Sequence, residues 1–214
     1  GQVTAELKAQ GLDRDTLVIF TSDNGGAHYV GLKDLNKPYR GWKATFYEGG
    51  THLPFLMRWP ARIAAGSRFA SPVSHFDIYA TASAAAGAPL PTDRVVDGVD
   101  LLPHVAGEAI GVPHRTLFWR SGGYRVVLHD GWKLHDLAQP REARLYHLAS
   151  DPGERQDLAA REPARVAQLR ALLAQHDRSQ MAPAWPSLIR SPIPIDRPLG
   201  VKASDRDPYI FWWN

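Results

Sequence analysis

Residues 16–26 read TLVIFTSDNGG, and this short stretch sets the architecture expected of the chain. Leu17–Thr21 is a β-branched and aromatic run, which predicts a fully buried strand. Two Asx residues and two glycines follow at 23–26, and such residues are typical of a turn. In open α/β sheets, ligands gather at the carboxyl ends of strands, so we expect a site at this turn.

The segments on either side of this stretch indicate a layered α/β fold. Residues 1–14 have the spacing of an amphipathic helix, and residues 54–59 (PFLMRW) read as a second buried strand. Residues 74–87 predict another helix that begins near Ser74. The stretch 27–50 lacks periodicity, and a connection of that length in a compact domain is usually functional or disordered.

The second part of the chain has a different pattern. Four short runs within 116–148 (TLFWR, YRVVLH, WKLHDL and ARLYHL) are separated by Gly and Pro, which predicts a small antiparallel sheet. Residues 161–177 carry an apolar stripe at helical spacing. From Met181 onward the chain is rich in proline, so we expect an extended tail whose aromatic end docks on the body.

These patterns divide the chain into three parts. We expect an α/β catalytic part over 1–110, a subdomain of sheet and helix over 111–180, and the tail over 181–214. The length of 214 residues suits one domain with appendages.

Composition excludes several classes of protein. The net charge is only +3, and no block of like charges signals a nucleic-acid arm. No apolar run approaches the roughly 18 residues of a membrane span. Cysteine is absent, which excludes disulfides, thiolate zinc sites and a cysteine nucleophile. We therefore expect no nucleic-acid partner and no transmembrane segment, with a periplasmic or cytoplasmic location both open.

Three residues could carry chemistry. Asp23 and Asn24 offer hard oxygen ligands, which suit calcium or magnesium, although an Asx turn that merely closes a strand is the simpler interpretation of the pair alone. Lys43 could hold an anionic oxygen as a point charge, or could be an ordinary solvated lysine. Taken alone, the three residues favour the simpler interpretations, an Asx turn and a solvated lysine.

Other catalytic patterns are absent from the sequence. No G-x-S-x-G elbow, P-loop, G-x-G-x-x-G or H-E-x-x-H occurs. His28 is the only histidine close to the Asp-Asn turn in sequence. Five others are expected to be hydrogen-bonded structural histidines; they are His52, His75, His129, His135 and His147.

Taken together, the motifs resemble those of the type I sulfatases. The specific part is the succession of TLVIFTSDNGG at 16–26, Arg40-Gly41-x-Lys43 and Glu48-Gly49-Gly50. Supporting motifs are Asn36-x-Pro38, Pro54–Pro60, Ser74-His75-x-Asp77-x-Tyr79, Gly131–Leu134, Leu145-Tyr146-x-Leu148 and Asp151–Glu154.

The resemblance implies a fold and a site. The family has an alkaline-phosphatase-like α/β sandwich, with a C-terminal small antiparallel sheet and a packed helix. By resemblance, Asp23 and Asn24 would bind calcium rather than magnesium, and Lys43 would be a catalytic residue that holds a sulfate oxygen. The implied function is hydrolysis of a sulfate ester by a calcium-assisted mechanism with a formylglycine nucleophile.

One departure from the family pattern limits this expectation. The family makes formylglycine within Cys/Ser-x-Pro-x-Arg, and this chain has no cysteine and no Ser-x-Pro-x-Arg. The match begins about half way along a family member. We therefore expect the C-terminal half of a sulfatase, inactive alone, whose partners are a sulfate ester and the N-terminal half of the same protein or a second chain.

Two other functions stay open at this point. One is a phosphodiesterase or phosphonate monoester hydrolase of the same superfamily, because a calcium ion and a lysine serve either anion. The other is a non-catalytic, sulfatase-like remnant that acts as an interaction protein.

Overall fold

The computed structural model describes residues 1–32, 34–185, 187–197, 201–202 and 204–213. It divides into two compact units, one of residues 1–21 and 54–115 and the other of residues 22–53 and 116–214. The helices and strands, in chain order, are α1 (Gln2–Ala9), β1 (Val18–Thr21), α2 (Glu48–Thr51), β2 (Phe55–Arg58), α3 (Asp77–Ala85), α4 (Leu102–Val105), β3 (Thr116–Ser121), β4 (Tyr124–His129), β5 (Trp132–Leu137), β6 (Glu142–His147), α5 (Pro163–Ser179), β7 (Arg190–Pro194) and β8 (Tyr209–Trp213).

The first unit contains α1, α3, α4 and an antiparallel pair of strands, β1 and β2. The start of α3 is held by the buried carboxylate of Asp77, which accepts hydrogen bonds from the backbone N–H groups of Ser74 at 2.7 Å and Val99 at 3.0 Å. The same carboxylate lies 2.7 Å from Nε2 of His114. The predicted helix near Ser74 is therefore present, although its N-terminus is stabilised by Asp77 rather than by the serine hydroxyl.

The prediction that β1 is fully buried is wrong. Phe20 on β1 lies opposite Leu56 on β2, and these two side chains are 64% and 57% exposed. Opposite residues of an antiparallel pair share one face, and no layer of described residues covers that face. A groove of about 520 Å³ in the same unit is lined by α1 and Leu12, and none of the predicted site residues lines it.

The second unit is built on a four-stranded antiparallel sheet in the order β3-β4-β5-β6. The helix α5 packs on one face of this sheet, as the apolar stripe predicted. Their shared core consists of Val127, Leu134, Leu145, Val166, Leu169 and Leu173. The small antiparallel sheet with a packed helix is thus confirmed.

The opposite face of the sheet is covered by the tail and by Tyr47. The tail strands β7 and β8 pair with each other, and Ile195 and Ile210 are fully buried against the sheet. Trp213 packs so closely on the β3–β4 turn that a Cβ atom on Gly122 would lie 2.4 Å from its Cγ. The docked aromatic end is confirmed, whereas the pairing of two tail strands was not predicted.

No helix in the described ranges has the length and apolar character needed to cross a membrane. The three-part division expected from composition, at 1–110, 111–180 and 181–214, stays a prediction.

Candidate functional site

Asp23 and Asn24 lie in a turn that follows β1 in the chain. The side-chain amide of Asn24 donates to Oδ2 of Asp23 at 2.6 Å, and Ser22 Oγ donates to the carbonyl of Asn24 at 2.8 Å. The carboxylate of Asp23 is exposed, and Asn24 is half-buried. The hydrogen bond between them holds the amide of Asn24 against the carboxylate of Asp23.

The turn is fixed by close backbone contacts on both sides. Gly25 N–H donates to the carbonyl of Gly50 at 3.1 Å, and a Cβ on Gly25 would lie 1.8 Å from the carbonyl oxygen of Gly49. The amide of Asn36 bonds Gly26 twice, accepting from its N–H at 2.7 Å and donating to its carbonyl at 2.8 Å. Only glycine allows an approach this close at position 25.

Lys43 lies beside this turn. Its backbone N–H donates to the carbonyl of Gly26 at 3.4 Å, and its ammonium is 5.5 Å from the ring centroid of Tyr29. The neighbouring Tyr29 hydroxyl raises the pKa of Lys43, and the negative charge of Asp23 adds to the effect. The structure therefore brings Asp23, Asn24 and Lys43 together, with the lysine exposed and cationic; their roles stay predictions.

Aromatic side chains support the segment that carries Lys43. The ring of Trp42 stacks on His28 at 4.9 Å between centroids and meets Tyr29 edge-on at 6.1 Å. Trp42 Nε1 donates to the carbonyl of Pro194 at 2.8 Å, which ties the segment to the tail. Desolvation by burial lowers the pKa of His28, so this imidazole is neutral at pH 7. Aromatic rings therefore pack beside Lys43, and Asp23 is the described carboxylate whose charge acts on its ammonium.

The oxygen donors fit calcium in kind but fall short in number. Carboxylate and amide oxygens are the ligands that calcium prefers, and the ion takes about six to eight of them. Asp23 and Asn24 supply two side chains. Within the described ranges, no cluster of three or more His, Cys, Asp or Glu side chains could hold a metal.

A buried charge cluster next to this turn was missed by the sequence analysis. We define it as Glu48, Lys133, His135 and Glu154, which are all buried. Lys133 Nζ lies 2.7 Å from Oε1 of Glu48 and 3.3 Å from Oε1 of Glu154, and His135 Nε2 lies 2.9 Å from the same Glu154 oxygen. Glu48, Lys133 and Glu154 all lie in motifs quoted from the sequence, so the signal was present without a role attached.

The electrostatics of the cluster follow from burial and pairing. Burial alone would raise the pKa of Glu48, but the charge of Lys133 and a hydrogen bond with His52 outweigh it and hold the pKa at about 2. Burial lowers the pKa of His135 to about 4, against the opposing effect of Glu154. At neutral pH the cluster thus contains two carboxylates, one ammonium and a neutral imidazole.

All five histidines expected to be hydrogen-bonded have a partner in the protein, and their structural role stays a prediction. The pairs are His52 with Glu48, His75 with Thr21, His129 with Thr116, His135 with Glu154 and His147 with Ser150.

Comparison with known proteins identifies the class. Residues 1–88 match the family model described as Sulfatase. The steryl-sulfatase of Rattus norvegicus is 38% identical over 159 residues, which cover 71% of this chain and 27% of the rat protein. The solved structure of Ps i-CgsB superposes with a TM-score of 0.76 at 27% identity, covering 86% of this chain and 41% of that one. Phosphonate Monoester Hydrolase of Agrobacterium radiobacter superposes with a TM-score of 0.62 at 27% identity, covering 83% of this chain and 38% of that one.

The matched segment and the fold of the chain are those of the sulfatase class. More particularly, residues 1–88 belong to the Sulfatase family, and the expected family and mixed α/β fold are confirmed. The chain spans about a quarter of the length of the rat steryl-sulfatase and about two fifths of Ps i-CgsB.

Proposed function

We propose that this chain supplies one part of the active site of a sulfatase, which hydrolyses a sulfate ester with help from calcium and a formylglycine nucleophile outside the chain. The observation that carries the proposal is the meeting of the Asp23–Asn24 turn with Lys43, in a chain whose first 88 residues match the Sulfatase family.

Each of the three residues has a distinct role in this proposal. Lys43 holds a non-bridging oxygen of the sulfate, and its fixed positive charge is most valuable when negative charge develops as the S–O bond breaks. Asp23 contributes negative charge to hold the cation, and Asn24 adds a neutral oxygen without cancelling more of that charge. A bound calcium ion would supply further charge stabilisation at the sulfate oxygens.

The remaining parts of the site must come from elsewhere. Two side-chain donors leave most of the calcium coordination unfilled, and the sequence contains no precursor of formylglycine. We propose that the N-terminal half of the same protein, or a second chain, supplies the nucleophile and the missing ligands. The 214-residue chain by itself should then be inactive.

Hydrolysis of a phosphonate or phosphate ester is the second candidate. The similarity to the Agrobacterium radiobacter phosphonate hydrolase favours it, and a cation with a lysine serves either anion. The family model and the steryl-sulfatase relative favour the sulfate ester. A non-catalytic remnant is the weakest candidate, because Asp23, Asn24 and Lys43 are present together and adjacent.

The experiment compares two substrates with the same leaving group. The protein at its full natural length is assayed for release of nitrophenol from an aryl sulfate and from an aryl phosphonate monoester. The proposal predicts a higher kcat/KM for the sulfate. A clear preference for the phosphonate would replace it with the second candidate, and no turnover of either ester would favour the remnant.

A further inference from the structure

In the second unit, the short helix α2 contacts both the Asp23–Asn24 turn and the segment that leads into Lys43. On one side of α2, the carbonyl oxygen of Gly49 lies so close to Gly25 that a Cβ atom there would be 1.8 Å from it. On the other side, a Cβ atom on Gly49 would lie 2.4 Å from the carbonyl oxygen of Gly41. Gly49 N–H also donates to the carbonyl of Arg40 at 2.7 Å. Any shift of α2 would therefore move both the Asp23–Asn24 turn and the segment that leads into Lys43.

The buried charge cluster is what holds α2 in place. Glu48 is the first residue of α2, and its carboxylate accepts a hydrogen bond from the ammonium of Lys133. Its backbone N–H donates to Oε2 of Glu154 at 2.5 Å. Lys133 also donates to Oγ1 of Thr51, the last residue of α2, at 3.4 Å. Both ends of the helix are thus tied to side chains anchored in β5 and in the turn at 151–154.

The use of charges at this place requires an explanation, because stability alone does not provide one. Burying ions is costly, and well-packed apolar side chains of similar volume are often as stabilising or more so. A charged network differs from an apolar contact because it is satisfied in only one geometry, and a half-satisfied network is strongly unfavourable. Glu154 meets this condition, since its carboxylate contacts Lys133, His135 and the N–H of Glu48.

We propose that Lys133 and Glu154 are positioning residues for the reaction, which fix α2 and thereby set the distance between the Asp23–Asn24 turn and Lys43. Both side chains are fully buried in the described structure, so they act through Glu48 and the Gly49–Gly25 contact. This inference rests on the proposed function for its effect on catalysis. In this proposal the small sheet, through Lys133 on β5, helps to set the geometry of the site.

The first test measures catalysis by the full-length protein with an aryl sulfate. Lys133→Met removes the charge and keeps a long unbranched side chain, and misplacement of about 1 Å should lower kcat/KM by roughly 10–10²-fold. The matched control is Leu169→Ala, which opens the core between the sheet and α5 without touching α2. At a temperature where thermal melts show both variants folded, the control should keep its rate within about twofold.

A double variant separates positioning from general damage. If Lys133 acts by placing Lys43 and its neighbours, the loss in the Lys43→Ala, Lys133→Met double variant should be smaller than the product of the two single losses. Losses that simply multiply, or an unchanged rate in Lys133→Met, would overturn the proposal. Should Lys133→Met fail to fold, Glu154→Gln, which keeps the shape of the side chain, is measured against the same expectations.

A second readout does not depend on activity. Amide hydrogen exchange at Gly25 and Gly49, whose N–H groups bond across this contact, should be at least about tenfold faster in Lys133→Met than in the wild-type protein. Unchanged exchange there would overturn the positioning role. A wild-type protein that hydrolyses no sulfate ester would refute the proposed function, while the exchange experiment would still decide the positioning claim.

Discussion

The ammonium of Lys133 lies 2.7 Å from the carboxylate of Glu48, although the two residues are 85 positions apart in the chain. Lys133 is on β5, the third strand of the four-stranded sheet, whereas Glu48 begins the helix α2, which contacts the Asp23–Asn24 turn. The lysine is fully buried, and its pKa is raised by the Glu154 and Glu48 carboxylates in spite of the opposing effect of desolvation. This ion pair joins the small sheet to the proposed site.

The buried cluster predicts how stability depends on pH. The pKa of His135 is about 4 in the folded protein, below its ordinary value of 6.5, so the stability due to its neutral form is present above pH 6.5 and is lost toward pH 4. The pKa of Glu48 is about 2 against an ordinary 4.5, so its contribution is lost between those lower values. The free energy of unfolding should therefore fall as the solution is acidified below pH 6.5.

Urea denaturation of wild-type and His135→Gln protein between pH 7 and pH 4 measures this effect. The variant should lose less stability than the wild type over that range, and His147→Gln, which lies outside the cluster, should behave like the wild type. An equal fall in the free energy of unfolding between pH 7 and pH 4 for the wild type and His135→Gln would contradict the assignment of this loss to His135.

Gly25→Ala should disrupt the proposed site. The new methyl group would lie 1.8 Å from the carbonyl oxygen of Gly49, so the Asp23–Asn24 turn or α2 must move. We expect a loss of roughly 10²-fold in kcat/KM, the effect of a small displacement of reacting groups. The control is Gly66→Ala, which has positive φ and open space, so it strains the backbone without pressing on the site. Equal activity of the two variants would count against the account.

Tyr29→Phe should shift the alkaline side of the activity profile. The neighbouring Tyr29 hydroxyl raises the pKa of Lys43, so the lysine stays cationic to higher pH when that hydroxyl is present. Its removal should make kcat/KM decline at a lower pH than in the wild type, with little change near neutrality. Tyr79→Phe, an exposed tyrosine of the other unit, is the control. An unmoved alkaline limb would show that Lys43 is not the group that titrates.

Chelation tests the proposed metal role of Asp23. If Asp23 and Asn24 hold a calcium ion, a strong chelator should abolish sulfate ester hydrolysis and added calcium should restore it. Asp23→Ala should remain inactive under ordinary calcium, whereas Asp15→Ala should resemble the wild type. Hydrolysis that is indifferent to chelation would remove calcium from the account.

The sequence motifs indicated three candidate residues that the structure brings together, but they did not indicate the buried charge cluster beside them. Asp23, Asn24 and Lys43 follow from local motifs, and the alternating runs between 116 and 148 predicted the sheet. Alternation in β5 would place Lys133 and His135 on a polar, solvated face. That face is buried because distant segments cover it, and a pattern with a period of two residues carries no information about such cover. The same limitation explains Phe20, whose apolar strand suggested a covering layer.

The most direct measurement of the central claim is phenol release from an aryl sulfate by three samples: the full-length protein, its Lys43→Ala variant and the 214-residue chain alone. The account predicts turnover by the first, a rate lower by roughly 10²–10³-fold in the second, and none in the third. The control is Lys8→Ala, an exposed lysine on α1, which should match the wild type. Full activity in Lys43→Ala, or turnover by the isolated chain, would contradict the account.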